Sequence, residues 1–174
     1  AAIAREDVDI LSFFHLNIPS NCTIVYNHAF QYCQHLVSVN ITESVTQIDD
    51  HAFEGCPSLA SVILGESVTH IGQRAFESCP SLASVTFSES LIHIGQRAFA
   101  SCTSLTGITL GESVIRIERN TFKTCTSLVS ITLGESINHV GNYAFLDCTS
   151  LASITLGECV TYIGDRAFED CTSL

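Results

Sequence analysis

Positive charge is scarce in this chain. Seven Lys and Arg stand against eighteen Asp and Glu, a formal charge of −11 over 174 residues. Phosphate backbones and anionic membrane surfaces are repelled by such a balance, so nucleic acid is not an expected partner. Long apolar runs are missing too: none approaches the roughly 20 residues of a membrane-spanning helix, and no direct membrane insertion is expected. The opening residues Ala1-Ala2-Ile3-Ala4 have neither the basic start nor the apolar stretch of a signal peptide, although a processed terminus would look the same, so the compartment stays open. The nine cysteines include no Cys-x-x-Cys pair, which removes the usual structural zinc signature. No Gly-rich phosphate loop, Ser-His-Asp arrangement in motif context or metal triad occurs, so neither an enzyme nor a cofactor is expected.

What the chain does have is a period. Phenylalanine recurs every 23 residues at Phe30, Phe53, Phe76, Phe99, Phe122, Phe145 and Phe168. Cysteine keeps the same step from Cys33 to Cys171, and leucine from Leu36 to Leu174. A strict period without insertions is the signature of a solenoid. With 46% hydrophobic residues, the array is expected to be one elongated domain.

One unit shows two periodicities. In Leu59-Ala60-Ser61-Val62-Ile63-Leu64, positions 62 and 64 face inward, which predicts a short strand. Gly65-Glu66-Ser67 is turn chemistry. Val68, Ile71, Ala75 and Cys79 are then spaced by three or four, which predicts one or two turns of α- or 3₁₀-helix with a buried stripe. Stacking identical units buries Leu on Leu, Val on Val and Phe on Phe in columns.

Strands are expected to begin at Phe13, Leu36, Leu59, Leu82, Leu105, Leu128 and Leu151, giving seven rungs about 4.8 Å apart. The first is degenerate but legible, since Leu16, Ile18, Cys22 and Val25 fall in the columns of Val39, Ile41, Val45 and Ile48. Residues 1–12 are then an N-terminal cap or a remnant repeat, and 13–174 are seven stacked repeats. Leu174 would open an eighth strand, so the C-terminal end is expected to be uncapped, as in a fragment or an end covered by a partner.

The pattern L-x-x-[V/I]-x-[L/I/F] followed by V-x-x-I-G-x-x-A-F-x-x-C-x-x-L resembles the BspA-like subclass of leucine-rich repeats over about residues 13–174. That resemblance implies an α/β fold: a right-handed leucine-rich-repeat solenoid with a parallel β-sheet on one face and short α or 3₁₀ helices on the other. It also implies non-catalytic adhesion, recognition or scaffolding, often at cell surfaces. In that family a proline often follows the strand. Ile18-Pro19 fits, whereas later rungs carry Leu-Gly-Glu-Ser, and Asp49 and Glu118 replace the glycine after the buried isoleucine.

Several columns carry polar chemistry. The in-register cysteines read as small hydrophobes, because stacked Cβ atoms nearly 5 Å apart miss the roughly 3.8 Å of a disulfide. Cys159 stands in a turn-serine column and is the thiol expected to be accessible. Glu43, Glu66, Glu89, Glu112, Glu135 and Glu158 form a ladder of like charges, each neighbouring pair repelling by somewhat under about 1 kcal/mol in water. A solvated edge that assists turn hydrogen bonding is the plain reading, and a basic protein partner is the functional one. Calcium would need more ligands per ion than one carboxylate per rung. His70, His93 and His139 share a slot with Gln47, Arg116 and Tyr162, so no metal is required there. His28, His51, Arg74, Arg97, Asn120, Tyr143 and Arg166 make a mildly basic stripe that reads as a solvated face.

The outward face of the sheet carries Ser61, Ser84, Ser130 and Ser153 in one file and Thr86, Thr109, Thr132 and Thr155 in the next. Such residues suit a solvated strand face, but small side chains also let a flat partner dock at little entropic cost. Ser-x-Thr files also resemble ice-binding solenoids. The expected function is a non-catalytic scaffold that docks on another protein or a multi-subunit complex through the glutamate ladder and the hydroxyl files. The alternatives are a cell-surface adhesin fragment, a peripheral structural subunit of a membrane complex and, more remotely, a cation- or ice-binding solenoid.

Overall fold

The computed structural model describes the strand Ala2–Ile3 and residues 15–174. Most of the expected N-terminal cap, and Phe13, lie outside the described residues. Numbered in chain order, the fifteen short strands among the described residues fall into two files. The wide file holds β2 (His15–Asn17), β4 (Ser38–Asn40), β6 (Ser61–Ile63), β8 (Ser84–Thr86), β10 (Gly107–Thr109), β12 (Ser130–Thr132) and β14 (Ser153–Ile154). The narrow file holds β1 (Ala2–Ile3), β3 (Ile24–Val25), β5 (Gln47–Ile48), β7 (His70–Ile71), β9 (His93–Ile94), β11 (Arg116–Ile117), β13 (His139–Val140) and β15 (Tyr162–Ile163). Every recorded pairing is parallel, and from β2 onward it joins equivalent residues 23 apart, such as Val39 with Val62 and Ile48 with Ile71.

The columns therefore meet as the period demands. Phe53, Phe76, Phe99, Phe122 and Phe145 are fully buried, and successive rings from Phe30 to Phe168 stack with centroids 5.1 to 5.8 Å apart. Leu16, Ile18, Cys22 and Val25 of the degenerate first rung are buried in the same core.

The expected helices do not form: no helix occurs among the described residues. A second strand and a run of tight turns take their place. Ala29, Gln31 and Cys33 donate their amides three residues back, to the carbonyls of Tyr26, His28 and Phe30. The amides that alternate with them reach the next rung instead: His28 to Asp50, Phe30 to Ala52 and Tyr32 to Glu54, at 3.2, 2.7 and 2.8 Å. Two left-handed residues in each rung, such as Arg74 and Ser78 with φ of 55° and 58°, redirect the chain before an i−4 bond can close. The spacing of three and four arises because strand, corner and turn each send one residue inward.

The cysteine column has a task beyond filling space. The thiols of Cys56, Cys79, Cys102, Cys125 and Cys148 donate to the carbonyls of Phe30, Phe53, Phe76, Phe99 and Phe122 at 3.1 to 3.2 Å. Each thiol thereby ties its rung to the phenylalanine of the rung before.

One junction breaks the pattern. The wide file pairs β2-β4-β6-β8 and then β10-β12-β14, and the narrow file pairs β1 to β9 and then β11-β13-β15, so both ladders stop between the same two rungs. The turns across this junction stay joined, with Arg97, Phe99 and Ser101 donating to Arg119, Thr121 and Lys123 at 3.1, 3.0 and 2.7 Å. Phe99 and Phe122 have the widest spacing of the stacked phenylalanines, 5.8 Å. The junction is closed on the turn side and opened on the strand side.

Candidate docking surface

The six ladder glutamates lie in the turns that follow the wide strands, and all are exposed. Two of them serve the turns directly: Glu43 Oε2 accepts the amide of Glu66, and Glu112 Oε2 that of Glu135, each at 2.8 Å. Ser84, Thr86, Thr109, Ser130, Thr132, Ser153 and Thr155 are likewise exposed. The threonine file is not purely hydroxylic, because register continues it into Ile63 and Asn40. Ile63 is 54% exposed.

The open junction turns part of this face into a groove of about 550 Å³. Its floor and walls include Val85, Phe87, Ile108, Leu110 and Leu133, and Glu89 and Glu112 also line it with Thr86, Thr109, Ser130 and Thr132. Of the residues singled out from sequence, the groove gathers these two glutamates and four hydroxyls. Glu43, Glu66, Glu135, Glu158, Ser84, Ser153 and Thr155 lie outside it.

Three departures from the repeat converge here. Phe87 stands where other rungs carry Leu64, Leu110 and Leu133, Ser88 where they carry Gly65, Gly111 and Gly134, and Gly107 in a file of serines. A Cβ on Gly65 would lie 2.5 Å from the carbonyl oxygen of Thr42, so a serine cannot approach the rung below as closely as glycine does. Ser88 is buried and donates to the carbonyl of Val68 at 2.8 Å. Phe87 sets its ring edge-on to Phe99 at 5.6 Å and 84°, and a ring in a leucine slot needs room that an evenly stacked ladder lacks. Val85 is only half-buried, whereas Val62 and Ile108 are buried. Phe87 was the signal available in the sequence: the one aromatic residue in that column.

The other polar columns are dispersed. His70 and His93 sit 6.0 Å apart with tilted rings, beside Asp49, Asp50 and Glu118 in a polar hollow of about 640 Å³. No three His, Cys, Asp or Glu side chains are placed to hold a metal ion among the described residues. His139 stacks on Tyr162 at 4.3 Å; partial burial and then the charge of Arg116 hold its pKa below the ordinary value. The column cysteines are thiols, and Cys159 is exposed. Burial, reinforced by the next thiol in line, raises Cys102 and Cys125 well above the ordinary value and Cys148 to about 12, so these sulfurs stay protonated in the folded array and lack the thiolate that metal binding or oxidation uses.

The model of the BspA type leucine rich repeat region matches in six copies over residues 9–128 and 92–174. The chain belongs to this BspA-type family. Among solved structures, a leucine rich cell surface protein from Faecalibacterium prausnitzii is 29% identical, with a TM-score of 0.86, over 94% of this chain and 46% of its own. A leucine-rich repeat protein from Eubacterium ventriosum is 27% identical, with a TM-score of 0.87, over 94% of this chain and 44% of its own. A leucine rich repeat protein from T. pallidum is 30% identical, with a TM-score of 0.68, over 79% and 78%. The chain thus spans less than half the length of the first two. No curated protein matches it. The BspA-type repeats are consistent with a protein-interaction or surface scaffold role, and the family is typically non-catalytic.

Proposed function

We propose that this BspA-type array is a non-catalytic docking scaffold whose wide-strand face receives a basic, partly apolar segment of another protein, anchored in the groove between β8 and β10. The groove carries the proposal, because it is where a repetitive surface differs from itself and offers an aromatic wall together with two carboxylates. Aromatic side chains in a desolvated recess are the usual anchors of an interface, and surrounding charges set the partner's sign and the rate of encounter. A lysine or arginine fits both features, since its stem lies along Phe87 and Val85 while its head meets Glu89 and Glu112. The similarity to a cell surface protein favours display at a surface, as adhesin or as peripheral subunit of a larger assembly.

Matched-length peptides with alternating apolar and lysine residues, apolar and glutamate residues, or only polar residues test this by titration against the whole chain. Only the lysine series should bind, with an affinity that falls as salt rises. Glu89→Lys with Glu112→Lys should weaken it by about tenfold or more, whereas Glu43→Lys should leave it within about twofold. Equal binding of all three series, or indifference to the double reversal, would refute the groove as the anchor.

A further inference from the structure

The few cations of this acidic chain are unevenly placed: five of the seven Lys and Arg fall between residues 74 and 123. Three of them meet where the chain leaves the narrow strands, in a hollow of about 200 Å³ lined by Gln73, Arg74, Gln96, Arg97, Arg119 and Asn120. These six form a grid of three rungs by two columns, Gln73, Gln96 and Arg119 in one and Arg74, Arg97 and Asn120 in the other. Left-handed backbone at Arg74, Arg97 and Asn120, with φ of 55°, 59° and 58°, fixes the second column in one repeated geometry.

Glu77 lies buried beside the grid and pairs with two of the three guanidinium groups: Arg97 Nη1 is 3.2 Å from Oε1, and Arg74 Nε is 3.2 Å from Oε2. The Arg74 contact is too poorly aligned for a hydrogen bond, so Arg74 Nε and Glu77 Oε2 are buried without a hydrogen-bond partner. Arg119 lies 5.7 Å over the Tyr143 ring and has no carboxylate partner among the described residues. Glu54 is also near enough to Arg74 for their charges to interact, so three positive charges face two negative ones, an excess of one, with Arg119 the cation left unpaired. A self-contained ion-pair network would need neither the third arginine nor an unsatisfied donor.

We infer that this corner is a binding site for a tetrahedral oxyanion, sulfate or phosphate, either free or as an ester. A guanidinium fork presents parallel N–H donors matched to two oxygens of such a group. Rungs about 4.8 Å apart bring forks from successive repeats within reach of one small anion, and Gln73, Gln96 and Asn120 add neutral amide donors. A carboxylate, with only two oxygens, would leave part of the grid of donors unmet. The acidity of the rest of the molecule repels extended polyanions but is screened over the distances beyond one small ion. This site is built from other side chains than the docking groove and stands or falls apart from it.

Amide NMR of the labelled chain, titrated with inorganic phosphate or sulfate at constant ionic strength set by chloride, is the test. Saturable shifts are expected at Gln73, Arg74, Gln96, Arg97, Arg119 and Asn120. Arg119→Gln, which disturbs no ion pair, should weaken binding by about tenfold or more. Arg166→Gln, in the column of Arg74 but outside the grid, should leave it unchanged. Thermal melting of both variants reports whether the fold is intact. A phosphorylated or sulfated monosaccharide separates the sources: tighter binding than the inorganic ion assigns the site to an ester, and equal binding to the free anion. Shifts that never saturate, equal effects from acetate, or full binding by folded Arg119→Gln would overturn the assignment.

Discussion

Replacing Phe99 by alanine removes a ring held on three sides. Phe99 is fully buried, stacks on Phe76 at 5.3 Å and Phe122 at 5.8 Å, and meets the edge of Phe87 at 5.6 Å. Loss of a core phenylalanine costs about 3 to 5 kcal/mol in transfer and cavity terms. Oriented aromatic pairs contribute about 0.5 to 1.5 kcal/mol each beyond area, so the upper half of that range is expected. Phe168, with one described ring neighbour at 5.3 Å and partial exposure, should cost about half as much. In a stacked array, stability is approximately a sum of repeat and junction terms, and Phe99 stands at the junction that has already lost both strand ladders. Phe99→Ala should therefore divide one unfolding transition into two. Circular dichroism in urea gives the total loss. Tyrosine fluorescence locates it, because Tyr26 and Tyr32 precede the junction and Tyr143 and Tyr162 follow it. A loss below about 1 kcal/mol would refute the claim that the ring supports its neighbours, and coincident signals from both halves would refute the weak junction.

Two further predictions concern the thiols. The native protein should react with a thiol reagent rapidly at exposed Cys159 alone among the wholly exposed or buried cysteines, with partly exposed Cys171 slower and the buried column sulfurs reacting only on unfolding; Cys159→Ser should remove the fast phase. Stability should also fall in alkali. The pKa of Cys148 is raised from 9.0 in the unfolded chain to about 12, so above pH 9.0 the unfolded state gives up a proton that the folded state keeps. Each such buried thiol then removes about 1.4 kcal/mol per pH unit until its folded pKa is reached, and contributes no slope below the unfolded value. Urea midpoints measured across this range should decline, and Cys148→Ala should make the decline shallower; a flat profile would contradict the burial of the column.

The rungs and columns were legible because every repeat votes for the same side chain at the same position. Leu16, Ile18, Cys22 and Val25 could be placed even in the degenerate first rung, and all four are buried. The helices were misread because spacing alone cannot separate one continuous helix from a strand, a corner and a turn that each bury one residue. What decides between them is the backbone at Arg74 and Ser78, whose left-handed φ leaves no trace in residues of ordinary helical tolerance. A glycine there would have revealed it, and only Gly55 does so in these columns.

The candidate surface was legible in the opposite way. Averaging over copies identified the glutamate ladder and the hydroxyl files, yet it also hid the place where they become a groove, because that place exists through exceptions. Phe87, Ser88 and Gly107 each look like tolerable drift when compared with a consensus. Together they sit at the single junction where both described ladders stop, and the same logic applies to Arg119, the one cation in a column that otherwise holds Asn27, Asp50, Gln73, Gln96, Asn142 and Asp165. In a uniform stack, binding at one position requires that the position differ from its neighbours. The departures from the period are therefore the residues from which partner and ligand chemistry should be sought, and the period itself accounts for the fold that holds them.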